Sequence, residues 1–568
     1  MNKFLVIMGL ILLSSVTPVT AATYYVSSSG SDSNPGTQVL PWKNCPGMIG
    51  WSGTAWLYRG DTVYFKNTDT WSGTVPGSTT FLELKGGVTY DGRSWGTEGS
   101  HATISVSSTG WKGAAVTLYK DDPVYPSVFD GFQVLPIGSA TAISFDWPLG
   151  SKMTNQIGAV KRIQNCIVDG AGQNVDETYG IVPGGYGGHI IKNVEILNNT
   201  VRNCWRDGIY IYPGNEALPL DNIVSDIVIR DNECYLNGKS TTSSGAGIKL
   251  KNHVVRALIE NNYVHDNYGS GIDLSSSSPV MYGPDDCIIR YNLVMNNKNA
   301  GSTKWNTALP IYSSNSSGMS TSAQIYGNIF WNPEFTTGIY VTSYVTDNKV
   351  NLTVNNNIIY SGGPAVYTTS KSSNIKLSNN ILISASGSAV LYDPYNVVKD
   401  HTSDIYWRTD GGTLVAINNG QTVYNAGNLA AWEPSGFSTD PNFKNAGNLP
   451  TGFLPNNMPN TDGLSIVSGN AIGHGTNLGF PYDYSINNVV RGTTWDIGPY
   501  AATGNSTGPP ITVMVPTSDT NFTISTGLPE TVVDPNGSIS VAMPIPEFPA
   551  LTIIGFLGAV LLIQRIKD

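Results

Sequence analysis

One short phrase returns through residues 193–382: an apolar residue, a few polar ones, Asn, any residue, then another apolar residue. It reads Ile196-Leu-Asn-Asn199-Thr-Val201, Ile229-Arg-Asp-Asn232-Glu-Cys234, Ile259-Glu-Asn-Asn262-Tyr-Val264, Ile289-Arg-Tyr-Asn292-Leu-Val294 and Ile325-Tyr-Gly-Asn328-Ile-Phe330, then Asn357-Ile-Ile359 and Asn380-Ile-Leu382. An earlier copy reads Asn165-Cys-Ile167. From Asn165 onward the Asn positions are separated by 34, 33, 30, 30, 36, 29 and 23 residues, a solenoid period with insertions of variable length. A second phrase follows in most periods: Asp207-Gly-Ile-Tyr-Ile-Tyr212, Ala246-Gly-Ile-Lys-Leu-Lys251, Ser270-Gly-Ile-Asp-Leu-Ser275 and Thr337-Gly-Ile-Tyr-Val-Thr342. Alternation at period two, rich in Ile and Val, specifies short strands with one face inward. The 3.6-residue periodicity that helical repeats need is not sustained anywhere between them.

Two or three short strands per turn, each paired with its copy in the next turn, make a parallel β-helix. The usual handedness of parallel connections makes it right-handed. Asn at a fixed place in each turn tolerates a tight bend and hydrogen-bonds to the Asn one coil away, so the Asn column reads as architecture. The fold class is therefore all-β: a right-handed parallel β-helix over 126–400, preceded by an N-terminal cap and first coils over 23–125. A β-rich closing segment follows over 401–502.

A solenoid adds core by length, so 568 residues fit one long domain with small flanking parts. Only 13% of residues are charged, and 62 Gly and 33 Pro suit short strands with frequent turns. The net charge of −10 argues against nucleic acid, whose binding needs basic patches. The five Cys lie without metal-ligand spacing; Cys234 falls in the inward slot of its repeat and reads as a small buried hydrophobe.

Residues 1–22 carry a lysine, an apolar run and a small-residue end, which is a secretory signal. Residues 503–545 are rich in Ser, Thr, Pro and Gly and hold sequons at Asn505, Asn521 and Asn536, which reads as a glycosylated stalk. Further sequons stand at Asn198, Asn315 and Asn351. At the end, Pro546-Glu-Phe-Pro549 precedes an apolar run over 550–563 and a basic close at Arg565 and Lys567. That run is shorter than the ~20 residues of a full span. The tail resembles the PEF-type sorting signal of archaeal surface proteins; a plain membrane anchor is the other reading. Both place the domain outside the cell, held to the envelope membrane by its C-terminal tail.

Thr23-Tyr-Tyr-Val-Ser-Ser-Ser-Gly30-Ser-Asp32-Ser-Asn34-Pro-Gly36 resembles the opening of secreted right-handed β-helix proteins of the pectate-lyase-like superfamily. Gly60-Asp61-Thr62-Val63 is similar to the strand that starts their first coils. Asp440-Pro-Asn-Phe443 and Asp496-Ile-Gly-Pro-Tyr500 resemble their closing phrases. The resemblance spans residues 23–502 and implies the fold. For activity it implies only a group that includes lyases, hydrolases, epimerases and non-catalytic members. Among its archaeal members are relatives of disaggregatase, which acts on a cell-surface heteropolysaccharide.

Periods of 30–36 residues exceed a minimal coil of about 20–24. The surplus falls in loops at 212–221, 238–245, 275–286 and 298–309, which would wall a groove suited to an extended polymer. With the Ile positions inward, Tyr210, Lys249, Asp273, Tyr312, Tyr340 and Tyr367 are expected in one outward column, and Tyr212, Lys251 and Ser275 in the next. A polysaccharide β-eliminase needs a base for the C5 proton and a cation against the uronate's developing charge. Lys249 or Lys251 supplies the base, His253 or His265 a proton partner, and Arg206 or Arg290 the cation. Asp207 and Asp273 are carboxylates for the same site, and Asp266, Asp285 and Asp286 are candidate calcium ligands. Tyr210, Tyr212 and Tyr312 would stack on sugar rings. A hydrolase would instead pair two of the acids, about 5.5 Å apart for retention or ~6.5–9.5 Å for inversion. Lys249 beside Asp273 also reads as a simple cross-strand ion pair. Trp205, Trp305 and Trp331 read equally as sugar platforms or as packing. The sequence thus points to a surface-tethered protein that binds extracellular polysaccharide and cleaves it, by elimination rather than hydrolysis. The alternative is a non-catalytic structural or adhesion module.

Overall fold

The computed structural model describes residues 21–501, apart from 146–154, 172–177, 185–188, 214–222, 241–244, 277–281, 298–306, 314–320, 335, 344–349 and 372, together with 531–533 and 539–541. Two compact units emerge, Met1–Ile511 and Thr512–Asp568. The second contains an antiparallel pair, Thr531–Val533 with Ile539–Val541. The secretory signal before residue 21, most of the stalk with its three sequons, the tail, Asn315, Trp305 and much of the four inserted loops lie outside the described residues.

Within the first unit the chain winds as a right-handed parallel β-helix. A 13-stranded parallel sheet, face I, begins at Thr23–Val26 and ends at Val398–Thr402. Face II runs from Ile167–Asp169 through Thr200–Arg202, Glu233–Tyr235 and Tyr263–His265 to Ile405–Arg408. Face III runs from Ile181–Pro183 through Ile209–Ile211, Ala246–Lys251 and Ser270–Ser275 to Val415–Ile417. In the early coils two long strands, Ala102–Leu118 and Phe132–Phe145, serve faces II and III together. Coils are therefore already present within 23–125, and the stack runs past the expected boundary at 400.

Register follows the apolar pattern. Ile196, Ile229, Ile259, Ile289 and Ile325 pair in succession on face I, and Val201, Cys234, Val264, Val294 and Phe330 on face II. All ten are fully buried, and each large aliphatic among them contributes about 1.5–3 kcal/mol. The five cysteines are free and buried, Cys234 in the inward slot that the repeat gives it.

Asn199, Asn232, Asn262, Asn292, Asn328, Asn357 and Asn380 form a continuous ladder between faces I and II. Each after Asn199 accepts the backbone N–H and the side-chain amide of its predecessor on one Oδ1, as at Asn232 to Asn262 (both 3.0 Å) and Asn262 to Asn292 (3.0 and 2.9 Å). The residue before each ladder Asn has positive φ, such as Asn198 (51°), Asp231 (60°) and Asn261 (53°), a conformation that Asn and Asp tolerate best. Asn165 (55°) belongs to that bend column, and Cys166 donates to Asn199 Oδ1. The first copy of the phrase is thus read one residue early. Asp404 closes the ladder, accepting both donors of Asn380.

A second ladder, Asn237 to Asn267 to Asn297, lies between faces II and III. After face III ends, the chain to residue 501 folds back along face II with isolated bridges such as Phe443 to Ile466 and Gly475 to Trp495. Its Leu464, Ile466, Ile486 and Ile497 pack on outward Leu293, Met295, Ile329 and Ile358. Trp331 is buried in the same layer against Phe443 and Tyr360, which makes it packing.

Candidate functional site

On face III Tyr210 pairs with Lys249 and Lys249 with Asp273, while Lys251 pairs with Ser275 and Ser275 with Tyr312. Tyr312 therefore belongs to the Lys251 column, and Pro310 takes the place beside Tyr340 that Tyr312 was expected to hold. The shift arises because Ile311 pairs with Leu274 and Leu309 with Ile339, so Ile311 takes the second inward slot of the strand and every residue stands two places further along than the phrase suggests. Tyr340 pairs with Tyr367 and Tyr367 with Tyr392 in three further coils.

Lys249 Nζ lies 3.0 Å from Asp273 Oδ2, with side chains 5% and 7% exposed. Asp273 Oδ1 is buried without a hydrogen-bond partner among the described residues. Asp207, at the entry to the strand one coil earlier, is buried and accepts the Ala246 N–H at 2.8 Å. Tyr179, Tyr210 and Tyr212 form a continuous stack, with centroids 5.3 and 5.1 Å apart. Lys251 Nζ sits over the Tyr212 ring at 5.1 Å, and the Arg206 guanidinium over Tyr179 at 5.9 Å.

This crowding separates the two lysines electrostatically. Burial works against the Lys249 charge, but Asp273 and Asp207 outweigh it and hold the ammonium above its ordinary range. Lys251 pairs with a serine instead. Burial, reinforced by the Lys249 charge, pushes it down to about 8. Burial also raises Asp207, with Lys249 opposing and Asp273 adding to the rise. The arrangement holds one committed cation beside one amine that loses its proton at mildly alkaline pH.

Not every expected site residue joins it. His253 follows Lys251 at the turn and stacks on Tyr282 at 4.3 Å. His265 lies on face II, between the rings of Tyr263 (3.9 Å) and Tyr235 (5.0 Å), with Nδ1 2.8 Å from Asp266 and Nε2 3.3 Å from Glu233. It stands on a different face from Lys249 and one coil further on, in the coil whose face III strand carries Asp273. Arg290 lies on face I, 2% exposed, bound to Glu260 at 2.8 Å and to the Tyr326 hydroxyl at 3.0 Å. Burial opposes its charge, but Glu260 and the flanking tyrosines more than offset this, so Arg290 is a structural cation. Asp266 is held by His265, and Asp285 accepts the Ser322 hydroxyl. Burial raises Asp286, with Asp285 adding to it. Among the described residues no three His, Cys, Asp or Glu side chains gather to hold a metal, so Asp266, Asp285 and Asp286 form no common site.

The family described as the right handed beta helix region matches residues 156–351. No curated protein matches this sequence. Among solved structures the chain is similar to XylC in complex with xylose, at 12% identity over 85% of this chain and 98% of that one, with a TM-score of 0.45. It is similar to pectate lyase Pel9A at 14% identity over 86% of this chain and 98% of that one, with a TM-score of 0.41. The A-module of mannuronan C-5 epimerase AlgE4 from Azotobacter vinelandii is 14% identical over 63% of this chain and 85% of that module, with a TM-score of 0.35.

Proposed function

We propose that this protein binds an acidic extracellular polysaccharide along face III and cleaves it by β-elimination. The observation that carries the reading is the pairing of unlike lysines: Lys251, with its pKa near 8, beside the charged Lys249. Neutral Lys251 takes the C5 proton of a uronate, the C4–C5 double bond forms, the bond from C4 to the glycosidic oxygen breaks, and the departing oxygen takes a proton from water. Lys249 and Arg206 stabilise the charge that develops on the uronate, Tyr210 and Tyr212 stack on the rings, and Asp207 holds the turn beside them. The signal at 1–22 and the tail at 546–568 support secretion and tethering to the envelope. Among the described residues no helix is long and apolar enough to cross a membrane.

The test uses the purified chain on acidic and neutral polysaccharides, with and without calcium, following unsaturated-uronate absorbance together with reducing ends. Absorbance that appears with wild type and falls roughly 10²–10⁴-fold in Lys251→Met, with binding retained, supports the reading. Reducing ends without absorbance would move the chemistry to paired carboxylates. Binding without any turnover would favour a non-catalytic surface module in which Lys249 and Asp273 are a buried ladder pair.

A further inference from the structure

The segment that folds back along face II does more than cover it. Where it passes the coils of Glu233–Tyr235 and Tyr263–His265, it leaves a cavity of ≈ 630 Å³ instead of a packed contact. That volume lies within the ~300–1,000 Å³ of small-ligand sites. One wall is the coil surface: Asp231, Glu233, Asn261 and Tyr263. The other is the turn at 451–457, with Phe453 at its centre. This turn is tightly built. Phe453 bridges to Pro459, Leu454 N–H donates to Met458 O at 2.8 Å, and the Asn460 side chain ties both the N–H (2.9 Å) and the hydroxyl (2.8 Å) of Thr451. Gly452, at φ +138°, approaches the Tyr263 ring where a side chain would be strained.

The lining has a definite chemistry. Asp231 and Glu233 keep 35% and 43% of their side chains open. The His265 ring supports Tyr263 from one side at 3.9 Å and reaches Glu233 at 3.3 Å, which orients both. Planar carboxylate and amide groups beside aromatic rings match a pyranose, whose vicinal hydroxyls donate outward and whose C–H face stacks on a ring. Among the described residues that line the cavity none is cationic, and the neighbouring Arg230 is already engaged by Asp231 at 3.6 Å and Glu260 at 4.0 Å, so a uronate would meet two acids and no lining cation.

We propose that this cavity is a second saccharide site, selective for uncharged sugars, that the C-terminal segment completes on face II. It stands apart from the lysine site in both place and charge preference. A polymer with acidic and neutral residues would therefore be held at two points, as in bivalent binding. Burial pushes Asp231 up to about 6, partly opposed by Arg230, so at neutral pH the acid is mostly ionised and turns a uronate away.

The experiment measures binding of neutral and uronate oligosaccharides to the full chain by titration calorimetry. Wild type, Lys249→Ala/Lys251→Ala, Asp231→Ala/Glu233→Ala and Phe453→Ala are compared, with thermal unfolding as the folding check. A neutral oligosaccharide should bind wild type and the lysine variant alike, and lose roughly tenfold or more in the acid and Phe453 variants. Should the acid pair unfold, Glu233→Gln, an isosteric change on a half-buried wall residue, and Phe453→Ala carry the same readout. Absence of neutral-sugar binding, retention of it in the cavity variants, or tighter binding of uronates at this site would each overturn the proposal. Absence of uronate turnover by the wild-type chain, with neutral-sugar binding intact, would sink the lysine site alone.

Discussion

Asn262→Ala should be among the most damaging single changes to the coil stack, and its cost follows from counting what loses a partner. Asn262 is fully buried and its side chain makes five hydrogen bonds. Oδ1 accepts the Asn232 N–H and side-chain amide; Nδ2 donates to Ile229 O (2.9 Å), Glu260 O (3.0 Å) and Asn292 Oδ1 (2.9 Å). Two of these losses are cushioned. The Asn232 amide keeps Ile196 O and Arg230 O, and Asn292 Oδ1 keeps the Asn262 backbone N–H. The Asn232 backbone N–H keeps nothing. One orphaned buried donor costs ~1–3 kcal/mol and the two uncushioned bonds, to Ile229 O and Glu260 O, about 0.5–1.5 kcal/mol each, so roughly 2–6 kcal/mol should go. Because a solenoid unfolds by neighbouring coils, urea unfolding should be paired with amide exchange, which reports the Asn232 N–H directly. A loss below ~1 kcal/mol with that amide still protected would refute the ladder as a stabilising device. Asn262→Asp is the sharper variant. It turns an oxygen toward Ile229 O and Glu260 O, and only a protonated acid fits there. Asp404, at the end of the natural ladder, is pushed well above the ordinary range by burial and by Glu433. A folded pKa raised in this way gives stability at acid pH that is lost as pH climbs through it, so Asn262→Asp should approach wild type only on acidification.

Turnover should rise with pH through about 8 as Lys251 loses its proton, and Lys251→Arg should abolish that limb with substrate binding kept. Between about 8 and 10.5 the unfolded lysine holds a proton that the folded one has lost, so stability should rise with pH in that window and the slope should vanish in Lys251→Met; an unchanged slope would refute the assignment. Arg290→Ala should strand the buried Glu260, cost ~3–5 kcal/mol in unfolding experiments and leave turnover per folded molecule unchanged. A selective loss of turnover would return Arg290 to the reaction. The five buried thiols, with Cys166 and Cys287 pushed up to about 12 by burial, should react with a thiol reagent only after denaturation.

The coil stack was legible because the same residue types solve the same problem in each turn. Ile229, Ile259 and Ile289 announce an inward position three times over, and Asn232, Asn262 and Asn292 announce a bend. The second ladder has the same spacing: Asn237, Asn267 and Asn297 stand five residues after those bends and 30 apart, but no fixed apolar phrase surrounds them, so in an Asn-rich chain the column does not stand out from its background. Tyr312 was misplaced because Pro310-Ile-Tyr312 lacks the Gly-Ile frame that fixes register in its neighbours.

What sits on the outside of a coil is harder to read, since period two tells only which side a residue faces. Tyr263, Leu293 and Ile329 share one outward column of face II, yet their fates differ. Leu293 and Ile329 lie fully buried beneath the returning C-terminal segment, while Tyr263 lines the gap that the segment leaves. One clue was present. The outward Leu293 and Met295 are both apolar, and an exposed strand face would not carry two such residues in a row, whereas Glu233 and Tyr235 two coils earlier are polar or amphipathic. That change of character along a single face marks where covering gives way to cavity. The repeat therefore encodes the scaffold, and departures from it on the outward columns encode the surfaces: the Lys249 and Lys251 pair on face III, and the Asp231, Glu233 and Tyr263 wall on face II. The partner that completes the second surface lies some two hundred residues downstream in irregular chain, beyond the reach of any periodicity.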